Sequence, residues 1–142
     1  MLSLSHLHPM LVHFPIALIV VGFIVDVASI LFKKEACLST LGFYLLILGT
    51  LAALTALLTG ALFTDEMSGA AGTVKDTHEL FAWTTVGILV VLSAFRFFLK
   101  AKALEGTNFK WIALALYGLA AISVSITGFY GGTLVYNYMM PI

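Results

Sequence analysis

The chain has four histidines, His6, His8, His13 and His78, and five methionines, Met1, Met10, Met67, Met139 and Met140, and all nine fall at one end of its long apolar runs. Imidazole and thioether groups gathered at one end of an apolar bundle are the ligands that haem iron or copper takes. His13 and His78 are the expected axial pair. Each stands four residues before a small residue, Ala17 and Ala82, and nine before a glycine, Gly22 and Gly87. Bis-histidine ligation needs two neutral imidazoles on opposite sides of an iron, with small neighbours such as Ala17 and Ala82 leaving room for the macrocycle. Without a Cys-x-x-Cys-His motif the haem is expected to be haem b, held non-covalently. The competing expectation is structural: interfacial histidines hydrogen-bonded to loop backbone. A second chemistry is copper, with His6, His8 and Met10 beside Met67, Met139 and Met140; over both chemistries the expected metal ligands are His13, His78, His8 and Met10. Zinc lacks a third and fourth ligand at regular spacing, unless Asp65 or Glu66 supplies one.

These side chains need a scaffold, and composition says which solvent surrounds it. Hydrophobic residues make up 61% of the 142 residues and charged ones 10%, with a mean hydropathy of +1.09, whereas soluble domains carry about a quarter charged residues. The expected class is all-α, a four-helix transmembrane bundle in a single domain over 1–142, with spans near 10–32, 40–63, 79–99 and 111–131. Each apolar run approaches the roughly 20 residues that cross a bilayer as a helix. The first run lacks a basic leader and a small-residue cleavage site, so it reads as a retained span. A net charge of zero and no basic tract argue against nucleic acid, and the single Cys37 cannot form an internal disulfide.

Local signals set the expected ends. Ser5 or His8 reads as a cap for span 1 with Pro9 in its first turn, and Asp76-Thr77-His78-Glu79 as a capping box opening span 3. Ser68 to Thr73, rich in glycine, reads as a mobile linker over the histidine end. Lys33, Lys34, Arg96, Lys100, Lys102 and Lys110 cluster at the turns joining spans 1 to 2 and 3 to 4, so the positive-inside rule puts both termini outside the cytoplasm. Trp83, Tyr130, Tyr136 and Tyr138 then belong to the outer aromatic belt, and Trp111 to the inner one.

A weak internal repeat aligns Ala53–Gly60 with Ala121–Gly128 and, upstream, His13 with His78. Two such hairpins are related about the membrane normal. Spans 1 and 3 then become diagonal, His13 and His78 face each other, and Gly60 matches Gly128 in depth. Ala52, Ala56 and Gly60, with Ala120 and Gly128, form small-residue stripes for close helix contact. Asp26 and Arg96 are ionisable groups inside spans; they read as a structural clasp or, alternatively, a proton relay. No phosphate loop, nucleophile elbow or zincin helix is present to support hydrolysis.

The string His8-Pro9-Met10-Leu11-Val12-His13-Phe14-Pro15-Ile16-Ala17-Leu18 resembles the bacterial membrane family called domain-of-unknown-function family 2231. Thr59-Gly60, His78, Arg96 and Gly131-Gly132-Thr133-Leu134-Val135-Tyr136 extend the resemblance over nearly the whole chain. It implies a four-span protein of the bacterial inner membrane, some of whose relatives are joined to Rieske or c-type cytochrome modules, which favours electron transfer. Where relatives carry a tail histidine this chain reads Asn137-Tyr138-Met139-Met140. The expected function is a b-type haem electron carrier or redox subunit rather than a stand-alone enzyme, with quinone, redox proteins and homo- or hetero-oligomer contacts as possible partners. The alternatives are a copper-binding subunit or a purely structural membrane scaffold.

Overall fold

The structure is a computed structural model that describes residues 7–32 and 36–138. Its elements are α1 (Leu7–Leu11), α2 (His13–Leu31), α3 (Ala36–Phe63), α4 (Gly69–Ala101) and α5 (Phe109–Tyr138). Together α1 and α2 make span 1, and α3, α4 and α5 are spans 2 to 4, each long and apolar enough to cross a membrane. The interruption at Val12 has a local cause. Pro15 has no N–H to offer the carbonyl four residues back, at Leu11, so the helical ladder breaks there and resumes at His13.

The outward faces stay apolar. Phe14, Ile24, Leu31, Leu58, Leu62, Val91, Ile122 and Phe129 are all more than half exposed, which is stable only against lipid. α2 packs most extensively on α3 and α4 on α5, while smaller α2–α5 and α3–α4 interfaces close the ring. Spans 1 and 3 are therefore diagonal, as the parallel repeat requires.

The core is thin and centred on Ile19, Leu46, Leu89, Leu92, Leu99 and Tyr117, all essentially inaccessible. Small residues let the helices close. Gly49 leaves space for Ile19, and Gly22 for the Tyr117 hydroxyl, which no described residue hydrogen-bonds. Hydroxyl pairs cross the interior: Thr50 and Ser93 join α3 to α4 at 3.0 Å, and Thr85 and Ser123 join α4 to α5 at 2.7 Å. Such interhelical bonds contribute about 0.6 kcal/mol each in a bilayer.

Three local readings are corrected. α4 begins at Gly69, not near residue 79, so the expected linker is helical from there and Asp76–Glu79 lies inside the helix. Two features offset the poor helix propensity of its glycines. Gly72 is pressed onto the Met67 carbonyl, where a Cβ would come within 2.6 Å. Lys75 is buried and clasped by Glu79 at 2.9 Å and Glu66 at 3.3 Å. α5 likewise runs through Gly131-Gly132 to Tyr138. His8 caps nothing, because it sits inside α1 with its ring turned toward α3; Ser5 lies outside the described residues.

The turn after α4 is a Schellman motif. Leu104 N–H donates to the Leu99 carbonyl at 2.8 Å and Ala103 N–H to the Lys100 carbonyl at 3.2 Å, with Ala103 left-handed at φ 54°. That conformation normally falls to glycine.

Candidate functional site

The histidine that faces His78 is His8. Their ring centroids lie 6.1 Å apart with the planes at 84°. α1 carries His8 at the entry to span 1, and α4 carries His78 one helical turn beyond Lys75, so the two rings meet between diagonal spans. Each is held from a neighbouring wall in the same way. His8 Nδ1 lies 2.9 Å from the Ala56 carbonyl of α3, and His78 Nδ1 lies 2.9 Å from the Thr127 carbonyl of α5. A carbonyl only accepts, so both Nδ1 atoms carry the proton. In the neutral rings both Nε2 atoms keep a lone pair, and neither has a hydrogen-bond partner among the described residues. Thr59 adds its hydroxyl 3.3 Å from His8 Nδ1 while donating to the Ala56 carbonyl.

Glycines shape both walls. A Cβ on Gly60 would stand 2.9 Å from His8 Cε1, and one on Gly131 would stand 3.1 Å from His78 Cε1. The repeat therefore has a register the sequence reading missed: His8 matches His78 and Gly60 matches Gly131. Gly128 instead packs on Ile16, with a Cβ 2.9 Å from its Cδ1. Asp26 and Arg96 obey the His8–His78 spacing, 70 residues apart, and Gly60 and Gly131 fall one residue off it.

His13, the expected partner of His78, is exposed at the first position of α2. Ala17 is exposed with it, Ala82 is half-buried, and Met10 is exposed, so the structure does not gather the expected set of His13, Ala17 and Met10 around His78. Met1, His6, Met139 and Met140 lie outside the described residues. Among the described residues no group of three or more His, Cys, Asp or Glu side chains is placed to hold a metal ion.

The residues missed in the sequence are wall residues: Ala56 and Thr127 act through their carbonyls and Gly131 through its lack of a side chain. No side-chain chemistry advertises them. The nearly equal separations of the contacts, 48 residues from His8 to Ala56 and 49 from His78 to Thr127, are the signal that could have found them.

His8-Pro9, Thr59-Gly60, His78 and Gly131 thus converge on one site, while Arg96 serves the opposite end. A family model described as "Predicted membrane protein (DUF2231)" matches residues 5–141. The chain belongs to this family. No curated protein and no solved structure matches it. As a member of family DUF2231 it is a membrane protein with four apolar spans, and its paired imidazoles are the feature for which chemistry must account.

Proposed function

We propose that this protein is a one-electron carrier that binds haem b between His8 and His78. The observation that carries the reading is the pair of opposed imidazoles, each oriented by its own backbone carbonyl. Haem iron needs only two protein ligands, which is the number of imidazoles present. His8 and His78, whose ring centroids lie 6.1 Å apart, would hold the iron through their Nε2 atoms. The Nδ1–H bonds to Ala56 and Thr127 fix the tautomer and raise the basicity of Nε2, as outer partners of ligating histidines do. Gly60 and Gly131 let the two rings pack directly against helix backbone, which fixes their positions. Bound haem would supply a reversible Fe(III)/Fe(II) couple. The chain's own part is to hold two neutral donors in a water-poor setting, with the histidine end and both termini outside the cytoplasm and quinol or a redox protein as the partner.

Purified protein from haem-replete cells should give a b-type pyridine haemochrome that His8→Ala and His78→Ala abolish and His13→Ala leaves intact. Colourless wild type that shows no Soret shift on haem titration refutes the reading. Reporter fusions at Tyr138 and at the Phe32 turn test the orientation, which is wrong if a cytoplasmic reporter is active at Tyr138.

Copper is a second reading, favoured by the two neutral imidazoles whose ring centroids lie 6.1 Å apart. Imidazole pairs bind both copper oxidation states. Stoichiometric copper in protein that lacks haem, lost in His8→Ala, would select it. Absence of both metals together with a stable hetero-complex would leave a structural subunit.

A further inference from the structure

The end of the bundle away from the histidines holds a partly open cavity of about 190 Å³ lined by both charged and apolar groups. The electron-carrier reading makes no use of it. Arg96, Asp26, Ser39, Glu105 and Lys110 form its polar wall, with Leu99 among its apolar lining. Arg96 and Asp26 are both buried and joined by one bond of 2.7 Å from Nη1 to Oδ2. A guanidinium has five N–H donors, and the others find no acceptor among the described residues. These donors are not sealed away, since among the described residues Tyr117 Oη is the one buried side-chain polar atom left unpaired, and they are free to meet a group rich in acceptor oxygens at the cavity.

Two further charges, Glu105 and Lys110, stand at the same cavity. Among the described residues neither Glu105 nor Lys110 forms an ion pair, and the Lys110 ammonium lies over the Trp111 ring at 5.6 Å. Trp111 is half-exposed, as aromatics at a membrane boundary are. Among the described residues the wall therefore carries two cations, Arg96 and Lys110, and two anions, Asp26 and Glu105. A dianion alone would leave excess negative charge; a ligand with one negative and one positive group matches both halves.

We propose that this cavity binds a zwitterionic phosphodiester, the phosphoethanolamine headgroup, at the membrane boundary. Arg96, Lys110 and Ser39 take the phosphate oxygens, for which Arg is well suited, and Glu105 takes the ammonium. The headgroup belongs either to a phosphatidylethanolamine molecule of the bilayer or to a soluble ester of the same chemistry.

The test uses the full chain, delipidated in detergent and titrated under native mass spectrometry with phosphatidylethanolamine, phosphatidylglycerol and soluble glycerophosphoethanolamine. The expected result is one saturable phosphatidylethanolamine per chain, bound about tenfold more weakly by Lys110→Glu and by Glu105→Lys. The double exchange of these two charges should recover part of the affinity. Both sites border the surface, and unchanged thermal unfolding of the variants shows that folding is intact. Saturable binding of the soluble ester without lipid preference supports the same site with a soluble source. Equal, non-saturating adducts of every lipid, indifferent to both variants, overturn the proposal.

Discussion

His8 and His78 hold their imidazoles edge to face at 6.1 Å between the two diagonal spans, each tied through Nδ1 to a carbonyl of the next helix at 2.9 Å. The relationship depends on helix backbone as much as on the rings. It is therefore sensitive to substitutions that carry no ligand chemistry.

Gly60→Ala and Gly131→Ala should each destabilise the bundle by about 1–3 kcal/mol, the usual range for overpacking, because the new methyl meets an imidazole edge at 2.9 or 3.1 Å. Gly87→Ala, where a Cβ meets nothing within 4 Å, is the control and should be neutral or stabilising. Thermal unfolding in detergent measures all three. Equal effects at Gly60 and Gly87 would contradict the packed-wall account.

The Asp26–Arg96 pair should reward paired replacement. Asp26→Ala leaves a buried guanidinium without its partner and should cost about 3–5 kcal/mol, whereas replacing both residues by apolar side chains of similar volume should be close to neutral. A double variant as unstable as the single one would show that the loss lies in packing rather than in the unpaired charge.

The four spans, their order and the diagonal placement of spans 1 and 3 are legible in the sequence, because apolar run length and the sidedness of charge follow from the bilayer itself. The site is legible only in part. His8 and His13 are both histidines near the head of span 1, and which one turns inward depends on the helix break that Pro15 imposes at Val12. The extension of α4 back to Gly69 is hidden because glycine argues for a loop, while the clasp that orders it joins Lys75 to Glu66 across the preceding turn. Ala56 and Thr127 contribute carbonyls, which every residue has, so no residue type could mark them.

Tyr117→Phe should stabilise the protein by about 1 kcal/mol, since it removes a buried hydroxyl that no described residue satisfies. The same change should relieve much of the penalty of Gly22→Ala, because the added methyl collides with that hydroxyl. Strict additivity in the double-mutant cycle would mean that the two residues are not in contact.

Ala103→Gly should stabilise the turn after α4 by about 1 kcal/mol, the cost an L side chain bears in the left-handed region. Ala103 has φ 54°, and its N–H donation to Lys100 keeps it there. Urea or thermal titration of the single variant checks the sign. Destabilisation would show that the alanine methyl contributes packing that outweighs its backbone strain.

Asp26 and Arg96 occupy matching places in the two hairpins, yet they carry opposite charges. Two copies of the first hairpin would set carboxylate against carboxylate, and two copies of the second would set guanidinium against guanidinium. The ion pair thus works as a parity label that admits only unlike halves, even though the histidine end of the same bundle is nearly indifferent to which half supplies which ring. Separately expressed hairpins, cut near Ser68, should therefore associate with each other and not with themselves. An Asp26→Arg, Arg96→Asp exchange should preserve that choice, while either single change should weaken it.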